Sequence, residues 1–219
     1  MHMDLQPYYA ARAPEYDHIY RKPERQSDLR ALETWLPHRF EGRSVLEVAC
    51  GTGHWTRFIA PVVSRLVALD AAIETMDIAR TRVPAEKVRF VVGDAYALPM
   101  HLGPFDAAFA GFWFSHVPVG RRREFLTGLA RAVEPGAKVV LLDNRFVQGS
   151  STPISESDSA GNTFQTRVLG DGSGHRVLKN FPGEAELHAC IEGLGTAGHF
   201  RTWEYFWAFE YVVTGKNRP

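Results

Sequence analysis

The chain is poor in cysteine. Cys50 and Cys190 are the only two, and neither has a partner at metal-ligand spacing, which argues against a zinc site or any other metal centre. Both lie in apolar runs and are read as small buried residues. An imbalance of charge is also missing: Lys plus Arg number 25 and Asp plus Glu number 25. A neutral chain without a basic stripe exerts no broad pull on nucleic acid or anionic lipid, so neither is an expected partner. The one tight basic cluster, Arg121-Arg122-Arg123, stands at the start of a predicted helix and reads as a solvated face. No apolar run reaches membrane-spanning length, and Met1–Arg12 is polar with no apolar leader core. The expectation is a soluble, cytoplasmic protein. Internal repeats and an interdomain linker are absent too. What remains is a chain of 219 residues, 45% of them apolar, which is enough for one good-sized α/β domain with a real core.

Apolar periodicity alternates between two kinds along the chain. Leu29, Leu32, Trp35 and Leu36 share a helical face that Pro37 ends. Strands are expected at Ser44–Ala49, Arg65–Leu69, Val88–Val92, Phe105–Ala110 and Lys138–Leu142. Helices are expected over His54–Ala60, through Ile73, Met76, Ala79 and Val83, and through Phe125, Leu126, Leu129 and Val133. Mostly apolar strands alternating with helices predict a parallel sheet covered on both faces. Right-handed crossovers then bring the strand C-termini to one edge. Glu47–Gly53, Asp70, Asp94, Gly111–His116 and Asp143–Arg145 all fall there.

The segment 146–182 breaks this rhythm. Thr163–Leu169 and His175–Leu178 flank a glycine-rich turn and read as a β-hairpin. It emerges at the ligand edge, as a substrate lid or as a plain surface insertion. A further helix through Leu187, Cys190, Ile191 and Leu194 ends at Gly195. Phe200–Val213 supplies two closing strands, an antiparallel pair. The fold class is therefore α/β: a Rossmann-like, mostly parallel seven-stranded sheet in a single domain spanning 1–219, with residues 1–40 as a helical cap.

Val45-Leu46-Glu47-Val48-Ala49-Cys50-Gly51-Thr52-Gly53 is a strand entering a small glycine turn, where backbone amides can approach a ligand closely. It resembles the first signature of class I S-adenosylmethionine-dependent methyltransferases of the small-molecule type, E/D-x-G-x-G-x-G, with Ala49 where the first glycine usually stands. The resemblance continues through Leu69-Asp70 with Met76, Val92-Gly93-Asp94-Ala95 with Leu98-Pro99, Phe105–Phe109, and Glu134-Pro135-Gly136-Ala137. It covers residues 44–143. It implies S-adenosylmethionine as cofactor and S-adenosylhomocysteine as product. The implied cofactor contacts are Asp70 on the ribose hydroxyls, with Ala71 beside it. The turn amides of Ala49, Gly51 and Gly53 would face the methionine portion, Glu47 would accept from its amino group, and Gly111 is a further cofactor contact. Asp94 and the Ala95 amide would meet the adenine edge, and Met76 its face, with Tyr96 opposite. Tyr8–Asp17 resembles the Y-x-x-x-A-x-x-Y-D leader of such enzymes, which brings Tyr9, Tyr16 and Tyr20 over the site.

Each assignment has a bland alternative. Asp70 could cap the next helix, Glu47 could be a buried structural carboxylate, Asp94 could form a turn, and Met76 is core on any reading. On the substrate side, Trp113 and its aromatic neighbours suit a flat or apolar acceptor or pack between loop and core. His116 is the base candidate and otherwise a structural histidine. Asn144 and Arg145 end the fifth strand at the same edge; Arg145 would hold an anionic substrate group or pair with a nearby acid. The resulting expectation is methyl transfer to an oxygen or nitrogen, less readily a carbon, of a small-molecule metabolite, a quinone-like one included. A homodimer is left open. Two rivals stand. An NAD(P)-dependent oxidoreductase needs G-x-G-x-x-G/A, which Thr56 breaks. A non-catalytic S-adenosylmethionine-binding regulator would share every cofactor motif.

Overall fold

Aliphatic runs form the five expected strands: β1 Ser44–Val48, β2 Arg65–Asp70, β3 Val88–Val92, β4 Ala107–Gly111 and β5 Lys138–Asn144. The computed structural model describes residue 8 and residues 12–84 and 86–215. Alternation along the strands feeds two cores. Val45, Leu66, Ala107 and Val140 face one side, and Leu46, Val67, Ala108 and Val139 the other. β9 Gly195–Thr202 and β10 Phe206–Val213 complete the sheet in the order β3-β2-β1-β4-β5-β10-β9. β1 to β5 pair in parallel, and β10 runs antiparallel to both β5 and β9. Chain order reverses between β1 and β4, so a crevice opens outside their carboxyl ends.

Helices α1 Gln26–Trp35, α2 Thr56–Ile59 and α3 Ile73–Arg82 bury Leu29, Leu32, Ile59 and Met76 on one face. Helices α4 Arg122–Ala132 and α5 Glu184–Cys190 bury Phe125, Leu126, Leu129 and Leu187 on the other. Three local expectations change. Ile73 opens α3 but is exposed, because the buried side of that helix runs through Thr75, Met76 and Ala79. The last helix stops at Cys190 rather than at Gly195, which instead begins β9, where the Tyr211 ring leaves no room for a Cβ. Arg121–Arg123 is a solvated face only at Arg123. The Arg122 guanidinium is buried and pairs with Glu186 at 2.8 Å, joining α4 to α5, and Arg121 lies 3.7 Å above the Tyr96 ring.

The segment after β5 forms a second sheet, β6 Glu156–Ser157, β7 Thr163–Val168 and β8 Gly174–Leu178, all antiparallel. It docks on the loop after β4. The Asn180 amide donates to the Ser115 carbonyl at 2.8 Å, and the Val119 amide donates to Asn162 Oδ1 at 2.8 Å. Among the described residues no helix is long and apolar enough to cross a membrane.

Candidate active site

The crevice between β1 and β4 is a cavity of about 1050 Å³. Its floor is the turn after β1. Ala49, Gly51 and Gly53 there have φ of 58°, 54° and 76°. Glycine adopts such angles freely, whereas at Ala49 the left-handed region costs roughly 1–2 kcal/mol. At Gly53 a Cβ would lie 2.9 Å from Ala79 Cβ, so the missing side chain lets α3 pack directly on the turn.

Asp70 ends β2 beside this turn. Its Oδ2 accepts from the Gly51 amide at 2.8 Å and its Oδ1 from the Ala72 amide at 2.9 Å, with the Thr75 hydroxyl at 3.4 Å. The contact to Ala72 is that of a cap at the start of α3, yet the carboxylate also lines the cavity. Each oxygen can accept a second hydrogen bond. Burial pushes the Asp70 carboxyl up, and the Ala72 and Gly51 amides pull it back.

Ala49, Gly51, Ala71, Asp94, Ala95, Gly111, Tyr16, Trp113 and His116 line the same cavity. Asp94 Oδ1 accepts from the Tyr96 amide at 2.9 Å, and the Tyr96 ring adds a flat wall. Three expected cofactor residues stand behind the surface instead. Gly53 is covered by α3, Met76 is fully buried in the core, and Glu47 is 1% exposed. Burial pushes the Glu47 carboxyl up to about 8, Asp70 adding to the effect and the Thr56 hydroxyl opposing it. Glu47 is therefore mostly protonated at neutral pH. Its folded form holds the proton that the unfolded chain releases near pH 4.5, so its contribution to stability is present at low pH and is lost as pH rises toward 8. Glu47→Gln removes that loss. Thermal unfolding should show little difference from the parent at pH 4.5 and a higher midpoint for the variant at pH 8.

The N-terminal segment closes over the turn. Asp17 accepts from the Thr52 hydroxyl at 2.7 Å and pairs with Arg82 at 2.5 Å, while Arg82 also donates to the Thr52 carbonyl at 3.1 Å. This clasp brings the Tyr16 ring within 3.5 Å of where a Gly51 Cβ would stand. Tyr9 lies outside the described residues. Tyr20 is placed differently from the expectation: it stacks between His54 at 3.4 Å and Phe112 at 5.7 Å, and is not among the residues lining the cavity.

His116 stands where the cavity meets a second chamber of about 370 Å³, and Tyr16 and Phe112 share that boundary. Its Nδ1 lies 2.7 Å from the Leu178 carbonyl. A carbonyl can only accept, so Nδ1 carries the proton and the neutral ring keeps its lone pair on Nε2. Burial, with Lys179 and Arg167 nearby, holds the imidazole neutral, well below its usual range. Behind it, Asp143 accepts from the Ser115 amide and hydroxyl, each at 2.9 Å, and from Lys179 Nζ at 3.0 Å. The two strand-end candidates separate. Asn144 lines the second chamber, whereas Arg145 turns to solvent and donates to the Trp203 carbonyl at 2.6 Å. Sequence reasoning missed Phe164, Arg176 and Leu178, which the second sheet contributes to the larger cavity, Asn162 just before β7, and Arg121, which reaches it from the start of α4. Only the hairpin pattern hinted at the first four.

A family model described as a methyltransferase domain matches residues 45–136. Demethylmenaquinone methyltransferases are among the curated relatives. That of Lactococcus lactis subsp. lactis (strain IL1403) is 31% identical over 111 residues, 47% of this chain and 42% of that protein. That of Shouchella clausii (strain KSM-K16) is 33% identical over 108 residues, 47% of this chain and 45% of that protein. The match thus spans less than half the length of these curated relatives. Solved structures cover the chain more fully. DhpI in complex with SAH aligns with a TM-score of 0.78 at 28% identity, covering 96% of each chain. DhpI with SAM and HEP aligns with a TM-score of 0.76 at 29% identity, covering 97% of this chain and 95% of that one.

Proposed function

We propose, for a chain that belongs to the class I S-adenosylmethionine-dependent methyltransferases, methyl transfer to an oxygen or nitrogen atom of a small molecule, with carbon as the next choice. The observation that carries this reading is the pairing of two features across one cavity: Asp70 with its glycine turn on one wall, and His116, its tautomer set by the Leu178 carbonyl, on the other.

The residues present fit the cofactor. Asp70 offers each ribose hydroxyl a charged acceptor, the left-handed turn presents backbone to the methionine portion, and Asp94, Ala95 and Tyr96 surround the place for adenine. When bound, S-adenosylmethionine supplies a methyl group already activated on a sulfonium. What the chain adds is position and a proton acceptor, and position alone can be worth several kcal/mol. His116 accepts the proton of a hydroxyl or amine at the junction of the two chambers, and the Leu178 carbonyl fixes its tautomer. In this reading residues 146–182 are the substrate lid and the segment before residue 40 is the cap over the cofactor. The family match ends at residue 136, ahead of the lid, so the quinone named for the curated relatives does not carry over with it.

The test is transfer of radiolabelled methyl from S-adenosylmethionine into a metabolite extract, followed by identification of the labelled product. Saturable NAD(H) binding without any affinity for S-adenosylmethionine would favour an oxidoreductase instead. With the acceptor in hand, His116→Gln should lower kcat by about 10²–10⁴ while S-adenosylhomocysteine affinity stays within about twofold. Unchanged turnover would make His116 a packing residue.

A further inference from the structure

The second chamber has an unusual balance of charge. Lys22, Arg25, Arg167 and Lys179 line it, and Glu15 is the one carboxylate among its described lining residues. Lys179 is matched by Asp143 at 3.0 Å. The other three have no carboxylate within ion-pair distance among the described residues. Their polar contacts are neutral: Arg25 donates to Asn144 Oδ1 at 2.9 Å and to the Ser150 hydroxyl at 3.0 Å, Lys22 to the Ser150 carbonyl, and Arg167 to Gln165 Oε1 at 2.9 Å. Arg25 is itself only 6% exposed. Like charges gathered in a half-enclosed space repel one another, and a paired anion is what normally offsets that cost.

From this juxtaposition we infer that the second chamber is an oxyanion receptor, so that the methyl acceptor carries an anionic group held by Lys22, Arg25 and Arg167 while its nucleophilic atom reaches His116. The inference rests on the methyltransferase reading and narrows its substrate class. The shared chemistry is that of a small oxyanion, either a planar carboxylate or a tetrahedral phosphorus or sulfur oxyacid. Guanidinium groups match both geometries through paired N–H donors. The hydroxyl-bearing Ser150, Ser151 and Thr152 at the rim add neutral donors. At about 370 Å³ the chamber suits a compact metabolite. The cations also act on one another in the expected sense. Burial and then the Arg25 charge lower Lys22, and burial lowers Lys179 to about 8 despite Asp143. A bound anion would relieve both.

The test uses inorganic phosphate, sulfate and acetate as probes, titrated calorimetrically at low ionic strength into the whole protein with and without saturating S-adenosylhomocysteine. At least one probe should bind saturably, and neutral trimethyl phosphate should not. Arg167→Gln and Lys22→Gln should each weaken that binding about tenfold, with S-adenosylhomocysteine affinity and melting temperature unchanged. A preference for phosphate or sulfate over acetate assigns a tetrahedral group, and the reverse a carboxylate. Absence of binding by all three anions, or affinity indifferent to both substitutions, overturns the inference. Failure of S-adenosylhomocysteine itself to bind strikes the methyltransferase reading, and the arm without it still decides the anion site.

Discussion

Asp70→Ala is expected to weaken S-adenosylhomocysteine binding by a hundredfold or more in titration calorimetry, with the fold retained. Two hydrogen bonds from a ribose diol to a charged acceptor contribute about 1.5–3 kcal/mol each, and the alanine removes both. A second loss adds to the first. The same carboxylate receives the Gly51 and Ala72 amides, so its removal also frees the turn from the start of α3. Asp70→Asn separates the two contributions, because one acceptor oxygen survives. It should fall between the parent and Asp70→Ala. Unchanged affinity in Asp70→Ala would remove the ribose role and leave Asp70 as a helix cap.

Lys179→Ala should lower the unfolding free energy by about 3–5 kcal/mol, because it strands the buried Asp143 carboxylate without its counter-charge. For a domain of this size each kcal/mol is worth roughly 2–4 °C in melting temperature, so a fall of at least about 6 °C is expected in thermal scans. Lys179→Met with Asp143→Leu should recover only part of the loss. The Ser115 amide and hydroxyl and the Asn144 amide also donate to Asp143, and the double variant leaves them unanswered. A melting temperature within 2 °C of the parent in Lys179→Ala would mean that water reaches the carboxylate.

The parallel half of the molecule was legible because its physics is local. β1 to β5 are mostly apolar, β2, β4 and β5 end at Asp70, Gly111 and Asn144, and the turn after β1 announces itself through closely spaced small residues. Asp70, Asp94 and Gly111 follow from strand ends alone, and the structure lines one cavity with them. Depth was harder to read. Met76 and Glu47 carry the right chemistry at the right element, but whether such a side chain reaches the cavity or turns into the core depends on packing. The expectation that Asn144 and Arg145 share one edge also failed at the end of β5. Asn144 and Arg145 point to opposite sides, and the more strongly charged of the two is the one that faces solvent. The two residues of β6 are exposed and show no apolar pattern, so nothing marked them as a strand. Least visible was the second chamber. Lys22, Arg25, Arg167 and Lys179 come from both ends of the chain, and no spacing rule joins them. A neutral overall charge concealed a local excess.

The bond from His116 Nδ1 to the Leu178 carbonyl ties chemistry to architecture. Leu178 is the last residue of β8, so the imidazole holds its proton on the inner nitrogen only while that strand is seated. Lifting the strand would leave the ring free to exchange tautomers and to turn a donor where an acceptor is required. On the proposed reading of His116 as the base, a chain with β8 unseated would lack a competent proton acceptor, so seating of that strand and readiness for reaction would coincide.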